Sequence, residues 1–196
     1  MGYSNILTHA EKILCIYPNP VENTKSDLRN LIRERRSGSK SKFDFNLLIT
    51  TDEFKSAQVI ASYRSYGDEP ETKDLNDSII ASGKKLLLPV LARDNSLTFR
   101  LWNGDSASLK LNGKVEEPIG TDFSGVIDLI IVPALAIDKS GNRLGQGGGS
   151  YDRALENFSG FSIAIINEDE FVDELPTVLT DRKVRAALTP KGLIRF

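Results

Sequence analysis

The segment Asn142-Arg-Leu-Gly-Gln-Gly-Gly-Gly-Ser-Tyr-Asp-Arg153 puts four glycines into positions 145–149, directly before a helix-like run that begins near Ser150. Backbone without side chains reaches positive φ at little cost and lets its N–H groups approach a ligand closely; the start of the following helix adds unpaired N–H groups and partial positive charge. The chemistry this allows is the holding of a phosphate, with Arg143 beside it as a guanidinium fork. A flexible surface turn is the competing reading, since glycine clusters also punctuate ordinary loops. Two familiar binders are disfavoured. No Gly-Lys-Ser/Thr follows, as a P-loop requires, and Gly145-x-Gly147-x-x ends on Ser150 where the dinucleotide fingerprint has Gly or Ala.

Other residues able to do chemistry lie far apart in the chain. Lys25 and Arg29 sit one turn apart on one helical face, where a solvated surface is the plain alternative. Asp68, Glu69 and Glu71 precede a helix whose N-terminus they could simply complement. Asp181 could end a loop and Tyr151 could pack a helix, while Trp102 reads as core or hairpin packing. His9 is the only histidine and Cys15 the only cysteine, both near the N-terminus. A multi-His or multi-Cys zinc site within one chain is therefore excluded, and Ser-His or Cys-His nucleophilic catalysis is disfavoured. Catalysis must run on carboxylates, cations, hydroxyls and backbone.

The elements that position these groups read as one α/β unit. Thr24 opens Thr-x-x-Asp, a capping-box pattern, and Leu28, Leu31 and Ile32 follow at helical spacing, so Lys25 to Arg36 is expected to be an amphipathic helix. A second helix is expected within Phe43 to Lys55 and a strand over Gln58 to Tyr63. An acidic loop then leads into a helix with Thr72 near its start, Leu75, Ile79 and Ile80 on its buried face and Gly83 as its stop. Lys85 to Val90 reads as a buried strand. Leu97 to Val115 alternates strand-like pieces with Asn-Gly pairs at 103–104 and 112–113, both hairpin or turn signals. Val126 to Val132, Phe161 to Ile166 and Lys183 to Leu188 add apolar runs suited to a sheet covered on both faces. After the strand ending near Val132 a long loop leads to the glycines and a helix from about Ser150 to Phe158. Alternating strands and helices predict a single-domain, Rossmann-like α/β three-layer sandwich with a mostly parallel central sheet.

Composition agrees. The 196 residues, 40% apolar and 27% charged, suit a globular protein, and 25 Lys+Arg against 27 Asp+Glu give a net −2 that argues against nucleic-acid binding. One cysteine permits no intrachain disulfide, and the start lacks a signal pattern, so a cytoplasmic protein is expected. No apolar stretch is long enough to span a membrane.

Taken in order, these stretches resemble the 5-formyltetrahydrofolate cyclo-ligase family, also called methenyltetrahydrofolate synthetase, from about Lys25 to Gly192. The glycine segment is the most specific part. The family's form, Pro-Gly-x-x-Phe-Asp-x-x-Gly-x-Arg-Leu-Gly-x-Gly-x-Gly-Tyr-Tyr-Asp, is met by Pro133, Asp138, Gly141, Arg143, Leu144, Gly145, Gly147, Gly149, Tyr151 and Asp152, with Ala134, Ile137 and Ser150 as departures. Lys25-x-x-Leu28-Arg29 resembles the family's Lys-x-x-Leu-Arg. Tyr63 through Asp68-Glu69-Pro70-Glu71-Thr72 resembles its strand, acidic loop and helix start, and Asp181-Arg-Lys-Val with Thr189-Pro-Lys-Gly192 resembles its close. Arg185 stands where a second closing Asp is usual.

The resemblance implies the ATP- and Mg²⁺-dependent conversion of 5-formyltetrahydrofolate to 5,10-methenyltetrahydrofolate. It implies that Lys25, Arg29, Arg143 and the loop Leu144, Gly145, Gln146, Gly147, Gly148, Gly149, Ser150 and Tyr151 bind ATP. Glu69 and Arg64, with Gln146 to Tyr151, would bind folate, and Asp152 and Asp181 the magnesium; Arg143 and Asp152 are the implied catalytic pair. Residues 23–196 would form the cyclo-ligase domain, acting as a monomer on small molecules, with 1–22 an extension of no assigned role. Two other readings stay open: a non-catalytic nucleotide- or folate-binding relative with an altered pterin pocket, and a sugar-phosphate isomerase on a similar sheet.

Overall fold

The structure, a computed structural model, describes residues 24–37 and 41–196. The N-terminal stretch 1–22, with His9 and Cys15, lies outside the described residues, as does the middle of the segment Arg35 to Lys42.

Seven strands form the central sheet: β1 (Val59–Ala61), β2 (Lys85–Leu91), β3 (Leu97–Leu101), β6 (Leu129–Pro133), β9 (Phe161–Ile165), β11 (Ala186–Thr189) and β12 (Gly192–Arg195), in the order β12-β11-β9-β6-β1-β2-β3. The five inner strands are parallel, and β3 and β12 close the two edges antiparallel. Successive side chains of a strand face opposite ways. Ile60, Leu86, Leu88, Leu129, Ile131, Ile163 and Ile165 therefore pack one core with Leu48, Phe54, Leu75 and Ile79. Ala61, Leu87, Ile130, Val132 and Ala164 pack a second with Leu155. Helices α2 (Asn46–Ile49), α3 (Asp52–Ser56) and α4 (Lys73–Ala81) cover the first face and α5 (Ser150–Glu156) the second, which gives the expected three layers.

Two local expectations are corrected, and the two Asn-Gly signals resolve differently. The single helix expected within Phe43 to Lys55 is two, because Thr51 ends the first and caps the second, its hydroxyl accepting the Phe54 amide at 3.2 Å. Asn103-Gly104 makes a bend and no hairpin, with Gly104 at φ 93 and the Asp105 amide donating to Asn103 Oδ1 at 3.1 Å. The β2–β3 turn instead uses Asn95, at φ 62, with Ala92 donating to the Ser96 carbonyl. Asn112-Gly113 does lie at a hairpin, between β4 (Leu109–Asn112) and β5 (Val115–Pro118), but Asn112 belongs to the strand. Finally, the expected long loop before the glycines holds two short strands, β7 (Ala136–Asp138) and β8 (Arg143–Leu144), which join β10 (Phe171–Val172) in a second sheet.

That second sheet receives α1 (Lys25–Arg36). Leu28 and Ile32 pack on Leu135, Ala136, Leu144, Val172 and Leu175. The expected capping box is formed, Asp27 N donating to Thr24 Oγ1 at 3.3 Å and Thr24 N to Asp27 Oδ2 at 3.1 Å. At the helix's other end, buried Arg36 grips both oxygens of Glu170 at 2.6 and 2.7 Å and donates to the Ala134 carbonyl at 2.6 Å. Such a buried pair contributes little net stability against apolar packing, but it fixes where the helix lies. Buried Asp138 organises the β7–β8 turn, accepting from the Ser140, Asn142 and Leu175 amides and from Asn142 Nδ2.

The strand order reverses between β1 and β6. Crevices outside the carboxyl ends of strands at such a switch point are where open α/β sheets bind ligands.

Candidate active site

A cavity of about 850 Å³ opens beyond the carboxyl ends of β1 and β6. The residues to which the resemblance gives a role all line it: Lys25, Arg29, Arg64, Glu69, the run Arg143 to Asp152, and Asp181. Its walls are assembled from α1, the loop after β1, the β4–β5 hairpin, the glycine loop with the start of α5, and the segment 178–182.

The glycine loop is shaped by what holds its carbonyls. Arg29 Nε donates to the Gly145 carbonyl at 2.8 Å, Arg33 Nη2 to that of Gln146 at 3.2 Å, and Arg153 Nη2 to that of Gly148 at 2.9 Å. The N–H groups of Gly145 through Gly149 find no acceptor among the described residues. Three cations thus tie down the acceptor side of the loop, and a row of donors is left over beside the cavity. Gly147 holds φ at 111°, which L side chains rarely adopt, and a Cβ on Gly145 would come within 2.5 Å of Arg143 Nη1.

Arg143 is 6% exposed. Its Nη1 donates to the Pro133 carbonyl at 3.2 Å and its Nη2 to Asp152 Oδ1 at 3.0 Å, with its guanidinium 5.8 Å from the Tyr151 ring centre. Its Nε has no partner among the described residues. Asp152 Oδ1 also accepts the Arg182 amide at 3.2 Å. Asp181 pairs with Lys25 through Oδ2, the oxygen that also takes the Val178 amide at 2.7 Å. Burial alone would raise the Asp181 pKa, but those two bonds and the charges of Lys25 and Arg143 hold it below the ordinary carboxylate range. In both aspartates the described bonds fall on one oxygen, and the other has no partner among the described residues.

The opposite wall follows β1. The three acidic residues of its loop separate into different roles. Glu71 complements the start of α4, accepting from the Lys73 amide at 3.3 Å and from Ser65 Oγ at 2.8 Å. Asp68 is exposed. Glu69 lines the cavity, where burial pushes its pKa up to about 7 against the pull of the Tyr66 amide, the Arg36 charge and Gln146. Thr72 does not cap α4 through its side chain; its hydroxyl donates to the Tyr63 carbonyl at 2.7 Å. Arg64 lies 5.1 Å from the ring centre of Trp102 and pairs with Glu116 of the hairpin at 2.5 Å, so its charge is already engaged. Trp102 itself is buried in the core, its Nε1 donating to the Asp105 carbonyl at 2.9 Å.

Arg33, Arg153, Arg182, Tyr63 and the hairpin residues Glu116 and Glu117 also belong to the site and were not singled out from the sequence. For Arg33 a signal existed: Lys25, Arg29 and Arg33 repeat every four residues along α1 and so share a face. The others arrive through tertiary contact. Among the described residues no group of three or more His, Cys, Asp and Glu could hold a metal alone, and no helix is long and apolar enough to cross a membrane.

Fold and site together define a three-layer α/β protein with a row of free backbone N–H groups and a half-buried carboxylate across one cavity at a sheet switch point. The chain belongs to the 5-formyltetrahydrofolate cyclo-ligase family, whose sequence profile matches residues 22–190. It is 34% identical over 146 residues to the 5-formyltetrahydrofolate cyclo-ligase of Mycolicibacterium smegmatis, covering 69% of this chain and 75% of that one. It is 31% identical over 144 residues to that of Escherichia coli K12, covering 68% and 79%. The NMR structure of Aquifex aeolicus 5,10-methenyltetrahydrofolate synthetase superposes with a TM-score of 0.73 at 25% identity, covering 87% of this chain and 92% of the other. The chain is thus a ligase of one-carbon folate chemistry.

Proposed function

We propose that this chain uses ATP to convert 5-formyltetrahydrofolate into 5,10-methenyltetrahydrofolate, releasing ADP and phosphate. A formyl amide is a poor electrophile, and its oxygen leaves poorly. Transfer of the γ-phosphoryl group to that oxygen cures both defects: N10 then attacks the formyl carbon and releases its proton to solvent, the C–O bond breaks, and phosphate departs with the oxygen. No enzyme nucleophile is needed. What the protein must supply is alignment and neutralisation of charge on the moving phosphoryl group.

The observation that carries this reading is the row of unpaired N–H groups at Gly145 to Gly149, flanked by Arg29 and Arg143 and sharing one cavity with Glu69. In this reading Lys25, Arg29 and Arg143 take phosphate oxygens, and the loop from Leu144 to Tyr151 cradles the chain of phosphates. Arg143, aligned by Asp152, faces the transferred group. Glu69 accepts from the N–H donors of the pterin, and Arg64 and Tyr151 bound its pocket. Magnesium fits the second oxygens of Asp152 and Asp181, since it is usually held by one or two carboxylates plus substrate phosphates; when bound, it would neutralise phosphate charge. Residues 23–196 act as the cyclo-ligase domain, as a monomer in the cytoplasm, without nucleic acid or membrane.

The test is to mix purified protein with Mg-ATP and 5-formyltetrahydrofolate and follow the near-ultraviolet absorbance of the methenyl product together with ADP release. Product that requires ATP supports the reading. Ligand binding without product selects the non-catalytic relative, and indifference to both ligands rejects a folate role altogether.

A further inference from the structure

Six cationic side chains line the cavity: Lys25, Arg29, Arg64, Arg143, Arg153 and Arg182. Four are matched by a carboxylate, Lys25 by Asp181, Arg64 by Glu116, Arg143 by Asp152 and Arg182 by Glu156. Arg29 and Arg153 make no ion pair among the described residues, and their printed bonds all run to backbone carbonyls. A neutral carbonyl fixes a guanidinium without cancelling its charge, so these two stand in the wall as uncompensated cations.

Arg153, on α5, is stretched between two loops. Its Nη2 donates to the Gly148 carbonyl at 2.9 Å and to the Asn95 carbonyl of the β2–β3 turn at 2.7 Å. Its Nη1 has no acceptor among the described residues. Asp94, in that turn, is taken by the Ser96 amide and hydroxyl at 3.0 and 2.6 Å. Nη1 lies against Gly149, where a Cβ would come within 3.0 Å of it; at Gly147 a Cβ would meet Arg29 Cζ at 3.5 Å, and at Gly145 Arg143 Nη1 at 2.5 Å. Alternate glycines of the loop thus each face one arginine. Arg153 is exposed, so a molecule in the cavity can reach it.

Of the three cations assigned to the phosphates, Lys25 and Arg143 already face carboxylates, which leaves Arg29 alone uncompensated against a polyphosphate. We propose that Arg153 is a further phosphate-binding residue, its Nη1 donating to oxygens of the nucleotide's phosphate chain from the Gly149 end of the loop. This rests on the reading of the glycine loop as the phosphate cradle.

The experiment measures binding of inorganic tripolyphosphate, without magnesium, and of 5-formyltetrahydrofolate to the wild type, Arg153→Gln and Arg153→Lys by titration calorimetry at several ionic strengths, with thermal melts alongside. Arg153→Gln should bind tripolyphosphate roughly tenfold more weakly, as for one lost charge-assisted hydrogen bond, and Arg153→Lys should stay within about threefold of wild type. The affinity of Arg153→Gln for tripolyphosphate should also fall less steeply as salt is added, because one fewer charge is there to be screened. Folate affinity should stay flat in both variants, and their melts should lie close together, since both give up the fork that spans Asn95 and Gly148. Arg153→Lys as weak as Arg153→Gln, a wild-type salt dependence in Arg153→Gln, or folate affinity that falls in step would make Arg153 a holder of loops and overturn the proposal. Wild-type affinity for tripolyphosphate in Arg153→Gln would sink this inference alone; a wild type that binds neither tripolyphosphate nor ATP would sink the phosphate reading of the loop with it.

Discussion

Replacing Arg143 separates its structural from its chemical role. Arg143→Ala deletes the bonds to the Pro133 carbonyl and to Asp152 Oδ1, leaving the Asp152 side chain with the Arg182 amide at 3.2 Å. A hydrogen bond to a charged group contributes roughly 1.5–3 kcal/mol, and a lost partner leaves a desolvated acceptor behind. Asp152 is 19% exposed along its side chain, so water recovers part of that loss. A net cost of about 2–3 kcal/mol follows, or a fall in Tm of about 4–12 °C at 2–4 °C per kcal/mol for a chain of this size. Arg143→Lys keeps a cation near Asp152 but loses the rigid fork that spans Pro133 and Asp152, so it should melt only about 2–4 °C below wild type. Loss of the cation that meets the transferred phosphoryl group should lower turnover about 10²–10³-fold in Arg143→Ala. Arg143→Lys should lose at least about tenfold despite its nearly normal melt. Calorimetric melts and the absorbance assay on both variants decide the matter. Lower melts with wild-type turnover would reduce Arg143 to a structural residue, and wild-type behaviour in both measurements would refute the reasoning.

Three further outcomes are expected. Asp152→Asn should cut turnover severely while the far-ultraviolet spectrum stays native; full turnover would place the metal and the phosphoryl group elsewhere. Glu69 titrates at about 7, above its ordinary 4.5, so the native state holds that proton more tightly than the unfolded chain. Its contribution to stability is full below pH 4.5 and lost as pH rises through 7. Melts of Glu69→Gln should therefore gain on wild type between pH 5 and 8, while the wild-type KM for folate falls as the carboxylate ionises; a difference flat with pH would show that Glu69 is not buried in solution. Gly147→Ala forces an L side chain to φ 111 and should cost about 1–3 kcal/mol, whereas a Cβ on Gly148 meets only Ser150 Oγ at 3.5 Å and should leave the melt unchanged; equal melts would mean the loop relaxes freely.

Much of the architecture is legible in the sequence because its causes are local. Continuous apolar runs such as Leu129 to Pro133 suit strands covered on both faces. Thr24 with Asp27 starts a helix by bonds that span three residues. The same holds for the glycine run, whose composition already implies exposed N–H groups. Breaks that depend on one hydroxyl, such as Thr51 splitting a helix in two, are harder to see, because the apolar pattern continues across them.

The candidate site divides along the same line. Residue types single out the glycines and Arg143, which stand in one short run of distinctive chemistry, and the resemblance to the family adds Asp152 and Glu69. Only the tertiary structure brings α1 onto the second sheet, where Arg29 and Arg33 turn from an ordinary charged helix face into holders of the Gly145 and Gln146 carbonyls more than a hundred residues away. It likewise separates Glu69 from Glu71, two residues apart and equal in charge, by burying one in a cavity and bonding the other to the start of α4. Propensity acts over a few bonds, so the chain announces its elements. Desolvation and the pairing of distant charges depend on which surfaces meet, and that is decided only when the sheets and helices pack.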